Sequence, residues 1–160
     1  MNDALLSSKR HDWRTPKSFF ESVTREFGQF DTDAAASADN ALCPHFWDEQ
    51  ADALKQDWAG RKIWCNPPYG KYTKDWLNRM ILHNNGIALT FARIETKMFF
   101  QYVWGKAMSV IFIEGRLFFY RKNGIRAKAN SGAPSVLIAY GKEADKRLLN
   151  SKIKGKYIRL

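Results

Sequence analysis

Asn66-Pro67-Pro68-Tyr69 closes an apolar run, Lys62-Ile63-Trp64-Cys65, and its residue types suit one kind of chemistry. The Asn66 side-chain oxygen and the Pro67 carbonyl each accept one N–H, and an exocyclic amino group such as that of adenine offers two. Between two acceptors the amino nitrogen moves toward tetrahedral geometry, and its ring-delocalised lone pair becomes available for attack. Pro67 and Pro68 fix φ at two successive positions, so both acceptors are in place before a substrate arrives. Tyr69 is then placed to stack on a base, an interaction worth roughly 1–3 kcal/mol. A base in a duplex must leave its stack to reach such a pocket. A rigid turn alone explains the prolines, but not the Asn before them and the Tyr after them.

The elements that must position this segment read as alternating strands and helices. Thr15-Pro16 has the chemistry of a helix start, with Phe19, Phe20, Val23 and Phe27 at helical spacing and Gly28 as a stop. Phe30–Asp33 is a short strand candidate running into Ala34-Ala35-Ala36-Ser37. Turns with one short helix over about 49–54 lead to the strand at 62–65. A helix then carries Trp76, Leu77, Met80 and Ile81 on one face and ends near Gly86. Ile87–Phe91 and Ser109–Ile113 read as strands around a helix at 97–104. Arg116–Tyr120 and Ser135–Tyr140 read as a C-terminal antiparallel strand pair joined by a basic loop, 121–134. The pattern predicts an α/β sheet, and in such sheets ligands sit past the C-terminal strand ends. Asp31–Ser37 and Asn66–Tyr69 both lie there, so they are expected to face one crevice.

The 160 residues point to one domain over 1–160, with a loose, polar stretch at 1–12 and a basic tail at 142–160. Hydrophobic residues make up 45% and charged residues 26%, which fits a globular chain and excludes a disordered one. No apolar run is long enough for a membrane span, and the first residues lack the apolar stretch of a signal peptide. Cys43 and Cys65 form no CxxC pair, so a reduced, cytoplasmic protein is expected. His11, His45 and His83 have no metal-ligand spacing, and no metal is expected. The formal charge of +10 is unevenly distributed: residues 1–80 hold 11 basic and 12 acidic side chains, residues 81–160 hold 15 and 4. A near-neutral half beside a strongly basic one suggests a chemical site next to a surface for a polyanion.

With these residues in view the chain resembles a family. The tetrapeptide after an apolar strand is similar to motif IV of S-adenosylmethionine-dependent amino-methyltransferases. The ordered set resembles the phage-type, Dam-like DNA N6-adenine methyltransferases more closely. That set runs through Trp13-Arg-Thr-Pro16, Phe30-Asp-Thr-Asp-Ala-Ala-Ala-Ser37, Asn40 with Cys43-Pro44, Asp57-Trp58, Asn66-Pro-Pro-Tyr-Gly70 with Trp76, Ala92-Arg93 with Thr96-Lys97, and Gly115-Arg-Leu-Phe118. It covers about residues 12–141. The resemblance implies a Rossmann-like methyltransferase fold, and the short stretch before the tetrapeptide suggests a trimmed sheet. It implies S-adenosylmethionine as cofactor, adenine N6 in double-stranded DNA as substrate, and action in the cytoplasm of a bacterium or a phage-infected host. Asn66, Pro67, Pro68 and Tyr69 are the catalytic candidates.

For the cofactor the candidates are Trp13, Thr15, Pro16, Asp31, Asp33, Ala34 and Asp57. The Thr15-Pro16 helix start offers N–H groups and a positive dipole end to a carboxylate. Asp31 and Asp33, two apart and on one face if extended, offer acceptors to an ammonium and to ribose hydroxyls. Ala34–Ser37 has no bulk to hold the backbone away. The glycine-rich loop common in methyltransferases is absent, as in the phage-type family. For DNA the candidates are Arg93, Lys97, Arg116, Arg121, Lys122, Arg126 and Lys128. The tail cluster Lys152, Lys154, Lys156 and Arg159 would add salt-sensitive affinity. A monomer or weak dimer is expected. The alternatives are an RNA adenine or protein glutamine methyltransferase, N4-cytosine methylation, and a DNA-binding module with a vestigial cofactor site.

Overall fold

A computed structural model describes residues 14–25, 28–120, 125–126 and 132–160. Among the described residues seven strands form one sheet: β1 Thr32–Asp33, β2 His45–Phe46, β3 Ile63–Cys65, β4 Gly86–Phe91, β5 Ser109–Ile113, β6 Ser135–Tyr140 and β7 Gly155–Arg159. Among the same residues four helices flank it: α1 Lys17–Thr24, α2 Thr73–His83, α3 Lys97–Tyr102 and α4 Lys142–Asn150. The strand order is β2-β1-β3-β4-β6-β5-β7. β2, β1, β3 and β4 are parallel, while β6 runs antiparallel between β4 and β5, and β7 runs antiparallel to β5.

The alternation of side chains along β3 sends its residues to two different cores. Ile63 and Cys65 face one side, with Leu77 and Met80 of α2 and Phe99 of α3. Trp64 faces the other, with Phe20 and Val23 of α1 and Ala144 and Leu148 of α4. The sheet is therefore covered on both faces, and its central strands read as continuous apolar runs for that reason. At the turn into α4, Gly141 has φ 95° and its backbone lies against the α2 C-terminus; a Cβ there would stand 2.0 Å from the Asn84 carbonyl oxygen.

Several expectations need correction. Arg116–Tyr120 forms no strand. Both edges of β6 are taken by β4 and β5, so no position is left for it, and Tyr120 makes isolated bridges to Arg14 and Arg126 instead. The strand expected over 30–33 shrinks to β1, and the helix expected over about 49–54 is a 3-10 turn at Ala53–Lys55. The tail expected at 142–160 is α4 followed by the edge strand β7. The helix expected to start at Thr15 as its cap begins at Lys17, with no side-chain cap.

Candidate active site

The parallel strands end at one edge of the sheet, and the segments that follow them meet there. Asn66 is the first residue past β3 and is 9% exposed. Its Nδ2 donates to Thr15 Oγ1, 51 positions away, at 3.0 Å; Pro16 rather than Thr15 occupies the N-cap of α1, which therefore has no side-chain cap. The Asn66 Oδ1 accepts the Tyr69 hydroxyl at 2.9 Å. The Tyr69 ring is half-buried and stacks on Phe91 at 4.4 Å, with Phe119 edge-on. Tyr69 is thus folded inward in this state. Burial pushes its hydroxyl pKa above the usual tyrosine value, so it stays protonated and donates.

Thr73, absent from the sequence candidates, locks the tetrapeptide from the other side. Its hydroxyl donates to the Pro68 carbonyl at 2.8 Å and accepts the Gly70 N–H at 3.0 Å. Pro67 is buried, and among the described residues nothing donates to its carbonyl. Two acceptors, Asn66 Oδ1 and the Pro67 carbonyl, therefore stand on a segment fixed at both ends.

Beside Asn66 lies a polar cleft lined by Arg14, Thr15, Asp33, Ala35, Asn40, Leu42 and Asn66. Asp33 ends β1 and is 3% exposed. Its carboxylate accepts the Leu42 N–H at 3.2 Å and the Ala35 N–H at 3.4 Å. Desolvation outweighs those bonds and raises its pKa to about 6. Arg14 spans the mouth of the cleft to Asp39 at 2.8 Å. The Ser37 hydroxyl and Arg14 together hold the Asp39 carboxyl below its usual value.

The other candidates are distributed unevenly. Asp31 does not line the cleft. It sits before β1, where its carboxylate accepts the Lys62 N–H at 2.7 Å and ties the start of β3. Two residues of extended chain put Asp31 and Asp33 at different ends of a very short strand. Ala34 is fully buried and donates to the Trp64 carbonyl, and its neighbour Ala35 lines the cleft in its place. Asp57 is exposed and closes a local turn with the Ala59 N–H. Pro16 precedes α1, whose first turn carries no side-chain cap. Trp13 lies outside the described residues.

Of the basic candidates, Arg93 lies two residues past β4, exposed, with its guanidinium 5.9 Å from the Phe91 ring on which Tyr69 stacks. Lys97 begins α3, which Thr96 caps through the Phe99 N–H. Arg116 is exposed past β5 at the same edge. Arg126 sits 4.0 Å over the Phe118 ring. Arg121, Lys122 and Lys128 lie outside the described residues. Lys71 and the exposed Tyr72, paired at 4.7 Å, extend this edge and were not legible as site residues, because nothing in their types marks them.

Arg14 was also missed; its position opposite Asp39 has no local signal. Asp48 lies two residues past β2, where its carboxylate accepts the Ala51 N–H at 2.8 Å; the two residues of β2 left no pattern to read. Both thiols are buried, and burial raises their pKa values, so neither is set up as a nucleophile. Among the described residues no three His, Cys, Asp or Glu side chains converge as a metal site, and no helix is long and apolar enough to cross a membrane.

Comparison with known proteins points one way. The family model described as DNA N-6-adenine-methyltransferase (Dam) matches residues 3–156. A DNA N-6-adenine-methyltransferase of Escherichia phage T1 is 31% identical over 109 residues, covering 66% of this chain and 45% of that protein. One of Haemophilus phage HP1 (strain HP1c1) is 23% identical over 137 residues, covering 82% of this chain and 79% of that protein. The chain thus spans under half the length of the phage T1 relative and about four fifths of the HP1 relative.

Proposed function

The chain belongs to the DNA N-6-adenine-methyltransferase (Dam) family, and from that premise we propose that it transfers a methyl group from S-adenosylmethionine to N6 of adenine in double-stranded DNA. The observation that carries this reading is the fixed Asn66 amide beside the Asp33 cleft at the C-terminal edge of the sheet. The sheet order, with β6 antiparallel between two parallel strands, supports a trimmed Rossmann-like methyltransferase fold forming one domain over 1–160. The reading places the protein in the cytoplasm of a bacterium or an infected host, as a monomer or weak dimer.

The donor set of the cleft fits the cofactor. Arg14 and the uncapped first turn of α1 suit a carboxylate, and Asp33 suits an ammonium. Asp48, past β2, is a further acceptor at the same edge, placed where ribose hydroxyls are commonly held. When bound, S-adenosylmethionine supplies an electrophilic methyl group. Asn66 Oδ1 and the Pro67 carbonyl accept the two N–H groups of the extruded adenine, and that localises the N6 lone pair toward the methyl carbon. Phe91 and Tyr69 provide the aromatic wall against which the base is held. Arg93, Lys97, Arg116 and Arg126 neutralise phosphates of the DNA, and Arg121, Lys122 and Lys128, outside the described residues, are proposed for the same role from their sequence alone.

The test is transfer of labelled methyl from S-adenosylmethionine to unmethylated duplex DNA, with RNA and protein in parallel and the product nucleoside identified by mass spectrometry. Formation of 6-methyladenine in DNA is the expected result. Label in RNA or in protein would replace the substrate, and cofactor binding without any transfer would favour the binding-module alternative.

Asp33 gives this reading a pH signature. Its charged form, which attracts the cofactor's ammonium, predominates only above its pKa of about 6. Cofactor affinity is expected to fall about tenfold from pH 7 to pH 5, because protonation removes the charge. The effect on stability has the opposite sense. The folded pKa is raised above the ordinary 3.8, so the folded state binds its proton more tightly, and Asp33 lowers stability as pH rises from 3.8 to about 6. Calorimetric titration and denaturation at several pH values should show both trends, and Asp33→Asn should flatten both. A cofactor affinity that does not change with pH would remove Asp33 from the binding set.

A further inference from the structure

We propose that Thr15 is a positioning residue for Asn66: its hydroxyl tethers the catalytic amide in the plane where it meets the substrate. The proposal rests on the methyltransferase reading above and adds a residue whose side chain works through another. A primary amide has one accepting and one donating end of nearly equal size. Rotated by half a turn, Asn66 would present N–H groups to the substrate amino group, donor against donor. In the structure both ends of the amide are tied, which restrains its swing. Asn66 Nδ2 donates to Thr15 Oγ1 at 3.0 Å, which leaves Oδ1 on the opposite side, where it accepts the Tyr69 hydroxyl at 2.9 Å.

Thr15 is itself held in place. Arg14 pairs with Tyr120 through two backbone hydrogen bonds, each of 3.1 Å, and Pro16 fixes the chain on the other side. Pro16 occupies the N-cap position of α1, so Thr15 stands one residue outside it, and the bond to Asn66 is where this side chain acts. Arg14 makes two further contacts: its guanidinium pairs with Asp39, and its backbone holds Tyr120.

Thr15→Val keeps the shape and branching of the side chain and deletes the acceptor; Thr15→Ser restores the acceptor. Thr15→Val is expected to lower kcat about 10–100-fold with KM for DNA within about threefold of wild type, measured at saturating S-adenosylmethionine because Thr15 also lines the cleft, and Thr15→Ser to recover most of kcat. In the Asn66→Ala background, Thr15→Val should cost nothing further, because its only route to the reaction is gone. An independent readout is the Asn66 side-chain amide in the NMR spectrum, identified as the NH₂ pair lost in Asn66→Ala. Its slow hydrogen exchange in wild type should become fast in Thr15→Val and slow again in Thr15→Ser. A raised Kd with unchanged kcat, an additive loss in the double variant, or an amide signal indifferent to Thr15 would each overturn the proposal. Absence of methyl transfer by wild type would overturn the methyltransferase reading instead, and the NMR comparison would still decide whether Thr15 holds the amide.

Discussion

Asn66→Ala is expected to leave a folded protein that binds S-adenosylmethionine normally and methylates DNA on the order of 10²–10³ times more slowly, the usual loss when one positioned polar group is removed from a developing charge. Asn66 supplies one of the two acceptors, and the other, the Pro67 carbonyl, belongs to the backbone and survives the substitution. The residual rate should therefore stand above zero. Binding should survive because the polar groups suited to the cofactor, Arg14, Asp33 and the first turn of α1, are untouched. Single-turnover methyl transfer on duplex DNA, alongside a cofactor titration and a circular dichroism spectrum, separates the three quantities. Wild-type turnover in this variant would sink the proposed chemistry.

Trp64→Ala should be the most damaging change to the fold itself. Trp64 is fully buried in the central strand β3, edge-on to Phe20 at 5.0 Å and tilted against Phe30 at 5.8 Å. Removing a buried Trp side chain commonly costs about 3–5 kcal/mol, against a total stability of about 5–15 kcal/mol. Chemical denaturation should report that loss. Trp64→Phe should be far milder, since it keeps the aromatic packing and removes an indole Nε1–H that is buried with no hydrogen-bond partner among the described residues. A loss below about 1 kcal/mol in Trp64→Ala would mean that α1 does not depend on the sheet in the way described.

How far the sequence could be read depended on the range of each signal. The strands β4, β5 and β6 are five or six residues of apolar chain and announce themselves. β1 and β2 have two residues each, too few for any periodicity: β1 was legible only as a strand candidate with bounds too wide, while the neighbourhood of β2 read as turns. β7 was hidden for another reason: Lys154, Lys156 and Arg159 give it the look of a solvated tail, which is how edge strands resist further pairing. Thr15 shows the same limit at the site. Its hydroxyl has the chemistry of a cap, and only the three-dimensional path reveals that it serves Asn66. Asp31 and Asp33 looked equivalent in sequence, but the strand between them is so short that one faces the cleft and the other ties β3. The Asn66–Tyr69 segment was legible because four adjacent residues carry its chemistry together.

The shortness of β1 and β2 has a consequence for how the molecule holds together over time. β6 is bonded to β4 along six residue pairs and to β5 along four, whereas β1 meets β2 and β3 through two pairs each. Opening free energies follow such differences, so the β1–β2 margin frays at little cost while the β4–β6–β5 block yields only with global unfolding. Amide protons of Ala34 and Trp47, bonded across that margin, therefore exchange through local openings, and those of Val136 to Ala139 through rare complete ones. A ligand seated in the adjoining cleft closes this gap, because it binds only the ordered margin and stabilises it by mass action. On the proposed function, cofactor occupancy would act as a late step of folding, completing the weak third of a sheet whose other strands are secured by their own pairing.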